Sequence, residues 1–423
     1  MIAVVGAGPT GLAAAWRAAR AGHEVVVLER APTVGGMAAS FDVAGLRVDH
    51  GSHRLHPSTA PAILTALREL LGDDLQTRPR HGRIRLQDRW VAFPLRAASL
   101  LRQAPPAFAL RAGRDTIIRP VHRARQRLEH SWRAPAARQR LRAGGASRLS
   151  DDRPAIGRHS GGHVAQEETF ADVVRDGLGP TVLDSFYGPY ARKLWDTEPD
   201  ELAGELARRR ISSSSPVDIA RRLARGRRNG GPTFLYPRTG FGAISEALAD
   251  AAVTAGADLR LSCGVRRLTA VGGWRLELDG GGRLDVAQVW STAPLAALAG
   301  AIEPPPPPAV AAAAGRLRHR AMVLLYLVLD RPQWTPFDAH YFPGPEVMAS
   351  RLSEPRNYRD NPDDPPDRTV LCAEIPCWQG DETWRASDGV LAERLVAELG
   401  RLGSPPVEPV HVDSLRLLLS YPI

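Results

Sequence analysis

Lysine is almost missing from this chain. Of 55 basic residues in 423, Lys193 is the single lysine and the other 54 are arginine. A demand for phosphate contacts would not empty a whole chain of lysine, so the skew reads as coding bias. No aromatic residues interleave with the charges as base-stacking platforms would, and no nucleic-acid partner is expected. Cysteine is scarce as well, at three residues. That excludes a disulfide-stapled secreted scaffold and points to a reducing compartment, the cytoplasm. Cys372 and Cys377 have no second pair beside them and read as buried thiols, so no metal is expected. Long apolar runs are lacking too. The longest, Ala321 to Leu329, is too short to cross a bilayer and reads as a buried strand. No signal peptide is expected, because Ile2 already opens a strand.

What is present is unevenly spread. The net charge is +9, yet 15 arginines between Arg96 and Arg158 face only Asp115, Glu129, Asp151 and Asp152. That segment carries +11 and the rest of the chain −2. A basic segment of this kind suits peripheral contact with an anionic membrane surface. At 423 residues there is room for two or three domains.

The opening residues carry the chemistry. Ile2 to Val5 is an apolar run, Gly6-Ala7-Gly8-Pro9-Thr10-Gly11 follows, and an Ala-rich helical stretch runs to Gly22. Val25 to Leu28 is a second apolar run, ending on Glu29 and Arg30, with Gly35 and Gly36 beyond. Strand, glycine turn, helix, strand and acid occur in the order that a dinucleotide requires. Gly6 permits the tight turn, Gly8 leaves room for a diphosphate, and Gly11 lets the helix approach the strand. The helix N-terminus offers free N–H groups and partial positive charge. Glu29 can accept bonds from ribose hydroxyls.

Further along, helical spacing covers Ala62 to Leu71, and alternation over Arg83 to Leu95 predicts a hairpin. Neither period survives from about Pro120 to Gln166, which reads as a disordered insertion. Thr169 can cap a helix, and Phe186 to Leu194 reads as another. Strands are expected at Ala257 to Leu261, Val265 to Leu268, Trp274 to Leu278 and Leu284 to Trp290. Pro304 to Pro308 suggests a stiff linker. Met322 to Leu329 opens another sheet, and Val390 to Leu402 is an amphipathic helix. Trp195, Trp290 and Trp378 read as core residues.

These motifs resemble the flavin proteins of the protoporphyrinogen oxidase and amine oxidase superfamily, including its UDP-galactopyranose mutase-like branch. The resemblance rests on Glu29 to Ser40, on Asp49-His50-Gly51-Ser52-His53, and on Arg89-Trp90-Val91-Ala92-Phe93-Pro94. It extends through Tyr187 to Trp195, Tyr236 to Gly242, Cys372 to Cys377 and Ser420-Tyr421-Pro422-Ile423. It implies an α/β fold: a Rossmann-like FAD-binding domain interrupted by a substrate domain with a mainly antiparallel sheet and helices. It divides the chain into 1–75 (FAD-binding, first part), 76–119 (substrate, first part), 120–166 (insertion), 167–230 (helical substrate part), 231–300 (FAD-binding, second part) and 301–423 (substrate, second part).

The implied cofactor is FAD. Gly6, Ala7, Gly8, Pro9, Thr10 and Gly11 would hold its diphosphate, and Glu29 and Arg30 its ribose end. Gly35, Gly36, Met37 and Ala38 would line the ribityl chain, Ser52 and His53 the flavin, and Val265 the adenine. No catalytic base is identified; His53 and Arg351 are the candidates, and Tyr341 and Arg238 join Arg351 as cleft residues by family position. His50, His53 and His56 recur every third residue, but suit a flavin-side loop better than a metal site. Amine oxidases usually carry a lysine near the flavin on a late strand. Arg320-Ala321-Met322-Val323 has none, and Lys193 reads as a solvated helix residue. Family members also continue past the Tyr-Pro motif into a glycine-rich segment that walls the flavin, whereas this chain stops at Ile423.

The implied activity is removal of hydride from a C–N or C–C bond of a small, apolar substrate. A mutase acting on a nucleotide sugar without net redox change, and a non-catalytic fragment, are the alternatives.

Overall fold

The structure is a computed structural model that describes residues 1–94, 102–115, 168–210 and 232–423. The segment expected to be disordered, 120–166, lies outside the described residues.

Four parallel strands form the first sheet, in the order β13-β1-β2-β9. They are β1 (Ile2–Val5), β2 (Val25–Leu28), β9 (Asp258–Arg260) and β13 (Gln288–Ser291). Val25, Val26, Val27 and Leu28 are all buried. A strand covered on both faces reads as a continuous apolar run, not as an alternation. Helix α1 (Pro9–Arg20) follows β1, and α5 (Ala243–Thr254) packs beside it. Leu12, Ala15, Trp16, Ile244 and Leu248 form their shared core. Leu64 and Leu67 of α2 (Pro61–Leu71) join that core.

A second sheet runs β12-β11-β10-β14. Its strands are β10 (Val265–Ala270), β11 (Trp274–Leu278), β12 (Arg283–Val286) and β14 (Ile302–Glu303). The run Leu284 to Trp290, expected as one strand, serves two sheets. β12 pairs antiparallel with β11, the Ala287 N–H bonds to the Met1 carbonyl, and β13 continues parallel to β1. Trp290 consequently sits on an edge strand, 37% exposed, and is not a core residue. The proline run is also shorter as a linker than expected. Pro308 opens α6 (Pro308–Gly315) at its first position, where its missing N–H costs nothing.

The largest sheet has seven strands in the order β19-β15-β18-β17-β16-β6-β7. They are β6 (Gly82–Leu86), β7 (Arg89–Phe93), β15 (His319–Leu329), β16 (Ala339–Tyr341), β17 (Arg351–Ser353), β18 (Thr369–Cys377) and β19 (Pro409–Pro422). β15, at its heart, begins three residues before the expected Met322 and is buried almost throughout. On one face α7 (Asp388–Arg401) covers Val323, Leu325, Leu371 and Ala373. On the other lies the hairpin of β3 (Ser40–Val43) and β4 (Leu46–Asp49), packing Val43, Leu46 and Val48 against Leu324, Tyr326 and Cys372. β5 (Leu75–Pro79) and β8 (Thr233–Pro237) pair separately.

Helix α3 (Phe170–Leu178) starts with a reciprocal cap: the Thr169 hydroxyl accepts from the Asp172 N–H while the Asp172 carboxylate takes the Thr169 N–H. The expected helix from Phe186 is a π turn, Leu183–Tyr187, running into α4 (Gly188–Trp195). Among the described residues no helix is long and apolar enough to cross a membrane.

Candidate active site

The glycine turn between β1 and α1 has three positions with three different requirements. Gly6 has φ +103°, a backbone state that L side chains rarely adopt. A Cβ on Gly11 would lie 2.0 Å from the Gly6 carbonyl oxygen. A Cβ on Gly8 would meet only the Gly35 carbonyl, 4.0 Å away. Gly6 and Gly11 are therefore demanded by the protein, whereas Gly8 faces open space that the fold leaves unfilled. That space lies at the N-terminus of α1, whose cap makes no side-chain bond and whose first turn holds no acid. Pro9 has no N–H, and the N–H groups of Thr10 and Gly11 precede the first intrahelical bond, Leu12 N–H to the Gly8 carbonyl. Gly35 and Gly36 close the other side, both at positive φ, and a Cβ on Gly36 would sit 3.7 Å from Gly8 Cα. The donors, the helix dipole and the room fit a diphosphate.

Glu29 at the end of β2 does more than wait for a sugar. Its carboxylate accepts from the Ala7 N–H at 2.6 Å and the Ala31 N–H at 2.8 Å, so it pins the glycine turn to β2. Each oxygen keeps a second lone pair for ribose hydroxyls. Next to it Arg30 and Val265 line a cleft of about 380 Å³ with Arg266, Asp279, Ala297 and Gly300. Arg30 and Val265, expected at the ribose end and the adenine, thus meet at one opening. The glycine loop and this opening together fit the adenosine diphosphate half of FAD.

The loop after β4 joins the first sheet's surroundings to the seven-stranded sheet. Asp49 is 4% exposed. Its carboxylate accepts from the Ser40 hydroxyl at 2.6 Å, the Phe241 N–H at 2.9 Å and the Tyr236 hydroxyl. Its carbonyl accepts from the Tyr326 hydroxyl of β15 at 2.6 Å. Gly51 turns the chain at φ +98°. Ser52 then commits its N–H to Glu374 Oε1 at 2.8 Å and its hydroxyl to Ser353. Glu374 also receives the Arg351 guanidinium. Burial alone would raise the Glu374 carboxyl, but Arg351 and the Ser52 bonds hold it below the usual carboxylate range. Neither Asp49, Tyr236, Tyr326 nor Glu374 carries a sequence signal beyond the family motif.

His53 stacks on Phe241, ring centroids 5.0 Å apart. Its Nε2 lies 3.0 Å from the His50 carbonyl. Nε2–H therefore donates, and Nδ1 keeps the lone pair in the neutral ring. Burial lowers the pKa of His50. His56 turns away from these, with Nδ1 on Ser58. Met37 is 45% exposed and Ala38 buried, beyond the Gly35–Gly36 turn.

Arg351 and Tyr341 pair directly across β17 and β16. Arg238 does not join them: it holds Asp74 at 2.8 Å and the Asp360 carbonyl. Lys193 is not a solvated helix residue. Its Nζ donates to the carbonyls of Phe342, Val347 and Ala349 at 2.6, 2.8 and 3.3 Å. Burial pushes its pKa down to about 8, opposed by Glu346 and Glu398. Cys372 and Cys377 are buried free thiols on β18. Among the described residues no group of three histidines, cysteines or acids could hold a metal.

Parallel nucleotide-binding sheet, mainly antiparallel partner sheet with one parallel pairing (β16 with β6) and shared loop define an FAD-dependent oxidoreductase fold. The flavin-containing amine oxidoreductase family model matches residues 9–417. The chain belongs to that family of enzymes, and its cofactor is FAD. A crystal structure of reduced UDP-galactopyranose mutase superposes with TM-score 0.74 at 18% identity, covering 100% of this chain and 82% of that one. A protein named as a protoporphyrinogen oxidase from Exiguobacterium sp. 255-15 gives 0.70 at 18%, covering 100% and 87%. A putrescine oxidase redesigned in its cofactor binding gives 0.64 at 18%, covering 98% and 83%. At such identity these structures establish the fold alone. One stretch of 80 residues is 42% identical to AofH of Mycobacterium tuberculosis, named as a flavin-containing monoamine oxidase. That match spans 19% of this chain and 17% of that protein.

Proposed function

We propose that the chain removes hydride from a C–N or C–C bond of a small molecule with an apolar body. The carrying observation is the unfilled space at Gly8, opened at the N-terminus of α1 and flanked by Gly36. Gly6 to Gly11 and Glu29 hold the adenosine diphosphate half of FAD. Gly35 to Ala38 lead from it toward the loop Asp49 to Arg54. When bound, FAD supplies the acceptor for two electrons.

The chain's own residues position and polarise. Asp49 locks the loop by three accepted bonds, and Glu374 ties it to β18. A C–H bond of the substrate breaks, a proton leaves the neighbouring nitrogen or carbon, and a C=N or C=C bond remains. His53 Nδ1, left with its lone pair because Nε2–H donates to the His50 carbonyl, takes the role of proton acceptor where one is needed. The lysine of amine oxidases has no counterpart here, because Lys193 is consumed by three carbonyls. The two-domain division is 1–75 with 231–300 against 76–119, 167–230 and 301–423. We also place the protein in the cytoplasm, on its few unpaired cysteines, with the basic segment 96–158 touching anionic membrane surfaces.

The test is the visible spectrum of the purified chain, followed by anaerobic titration with candidate substrates. A yellow protein bleached by a small C–N or C–C substrate is expected. A colourless chain that takes up no added FAD would sink the reading.

A further inference from the structure

One row across the seven-stranded sheet sets Glu374, Arg351, Tyr341 and Ile84 side by side on β18, β17, β16 and β6. Arg54, just past His53, enters this row. Its Nη1 lies 3.5 Å from the Tyr341 hydroxyl and its Nη2 3.3 Å from Asp338 Oδ1. Its side chain is 9% exposed. Arg80 lays its guanidinium over the Phe93 ring at 5.3 Å, and Phe93 packs on Tyr341 at 4.8 Å. Three guanidinium groups thus surround one phenol. Burial alone would raise the Tyr341 pKa, but Arg54, Arg351 and Arg80 more than reverse it, and it falls below the ordinary tyrosine value.

Two carboxylates face the three arginines. Glu374 belongs to Arg351 and Asp338 to Arg54. Arg80 pairs with no carboxylate among the described residues, so the cluster holds one excess positive charge. Donors are also left over: Nε of Arg80 and Nε of Arg54 are buried without a partner, and Nη2 of Arg54 has only its ion pair with Asp338. Leaving charged donors buried and unmatched is costly, and an acceptor of opposite charge relieves it. A guanidinium fork matches a carboxylate or phosphate better than any neutral group.

We propose that Arg54 and Arg80 form an oxyanion subsite, so that the substrate carries a carboxylate or phosphate group held beside Tyr341 and Phe93. This rests on the oxidoreductase reading above and narrows it. A free amine would bring an ammonium ion to a site already one positive charge in excess, which disfavours it.

The test titrates the FAD-loaded protein with benzoate, inorganic phosphate or benzylamine at constant ionic strength. The readouts are thermal shift and perturbation of the flavin spectrum. Benzoate or phosphate is expected to bind; whichever acts identifies the group as carboxylate or phosphate. Arg80→Gln should weaken binding roughly tenfold or more, with partial recovery in Arg80→Lys. Arg401→Gln, at the exposed end of α7, should leave it unchanged. Arg54→Gln strands the buried Asp338 and is read only if its circular dichroism is native, so Arg80 carries the decision. Response to benzylamine alone, to none of the three, or equally in wild type and Arg80→Gln overturns the proposal. A chain that takes up no FAD fails the oxidoreductase reading separately, since the thermal shift still reports anions on the apoprotein.

Discussion

At the scale of single residues, the glycine motif was legible because its demands are those of the backbone, which no distant partner alters. Arg54 was not. In a chain whose cations are nearly all arginine, one guanidinium looks like every other one until Asp338 and Tyr341 arrive from almost 300 residues away. The sequence pattern suggests a sugar contact for Glu29 and gives no sign of its bonds to the Ala7 and Ala31 N–H groups. Replacing Glu29 by Gln turns one acceptor into a donor facing the Ala7 or Ala31 N–H. The apoprotein should lose about 1–2 kcal/mol in a urea melt carried out without FAD. An unchanged apo stability with weakened FAD uptake would show that Glu29 serves the sugar alone. His340 gives a pH signature. It is 1% exposed among Trp90, Trp334 and Phe337. Burial, reinforced by Arg83, pushes its pKa down to about 3. The folded value lies below the unfolded one, so its stabilisation is complete above about pH 6.5 and is lost as pH falls toward 3. Between pH 7 and pH 5 wild type should lose about 2 kcal/mol more than His340→Gln. Parallel pH profiles of the two would refute the assignment.

At the scale of elements, alternation and capping identified the β6–β7 hairpin and the Thr169 start of α3, because both signals are local. The split between β12 and β13 could not be read. Both halves mix apolar with polar residues in the same way, and which sheet each joins is decided by Met1, β1 and β11. The role of α4 was hidden for the same reason. Lys193 at its end reaches three carbonyls that lie about 150 residues later in the chain. This one ammonium fastens α4 to the segment joining β16 to β17. Lys193→Met would leave those carbonyls without their donor. Unfolding free energy should fall by about 2 kcal/mol, with FAD affinity unchanged. If FAD affinity falls by as much as stability, Lys193 acts on the flavin and not on the fold.

At the scale of the whole molecule, the loop Asp49 to Arg54 ties the β5–β8 pair, whose Leu75 and Leu235 pack into the core of the nucleotide-binding sheet, to the seven-stranded sheet. Asp49 takes bonds from Tyr236 and Phe241 on one side and Tyr326 on the other, and Ser52 reaches Glu374 on β18. A ligand gripped at the glycine loop and extended to this loop stabilises both sheets together. FAD at a hundred times its dissociation constant should therefore add about 2.7 kcal/mol to unfolding in a single transition. Gly8 allows the effect to be isolated. Its φ of −74° and ψ of 172° suit any residue, and a Cβ there meets nothing within 3.9 Å, the nearest atom being the Gly35 carbonyl at 4.0 Å. Gly8→Val should leave the apoprotein within about 0.5 kcal/mol of wild type while filling the space assigned to the diphosphate. Gly11→Ala, driven 2.0 Å from the Gly6 carbonyl, should damage apo stability and FAD binding alike. Calorimetry of the three proteins with and without FAD separates the cases. A thermal shift retained in Gly8→Val would place the diphosphate elsewhere, and two separate transitions on FAD addition would deny that the loop couples the sheets.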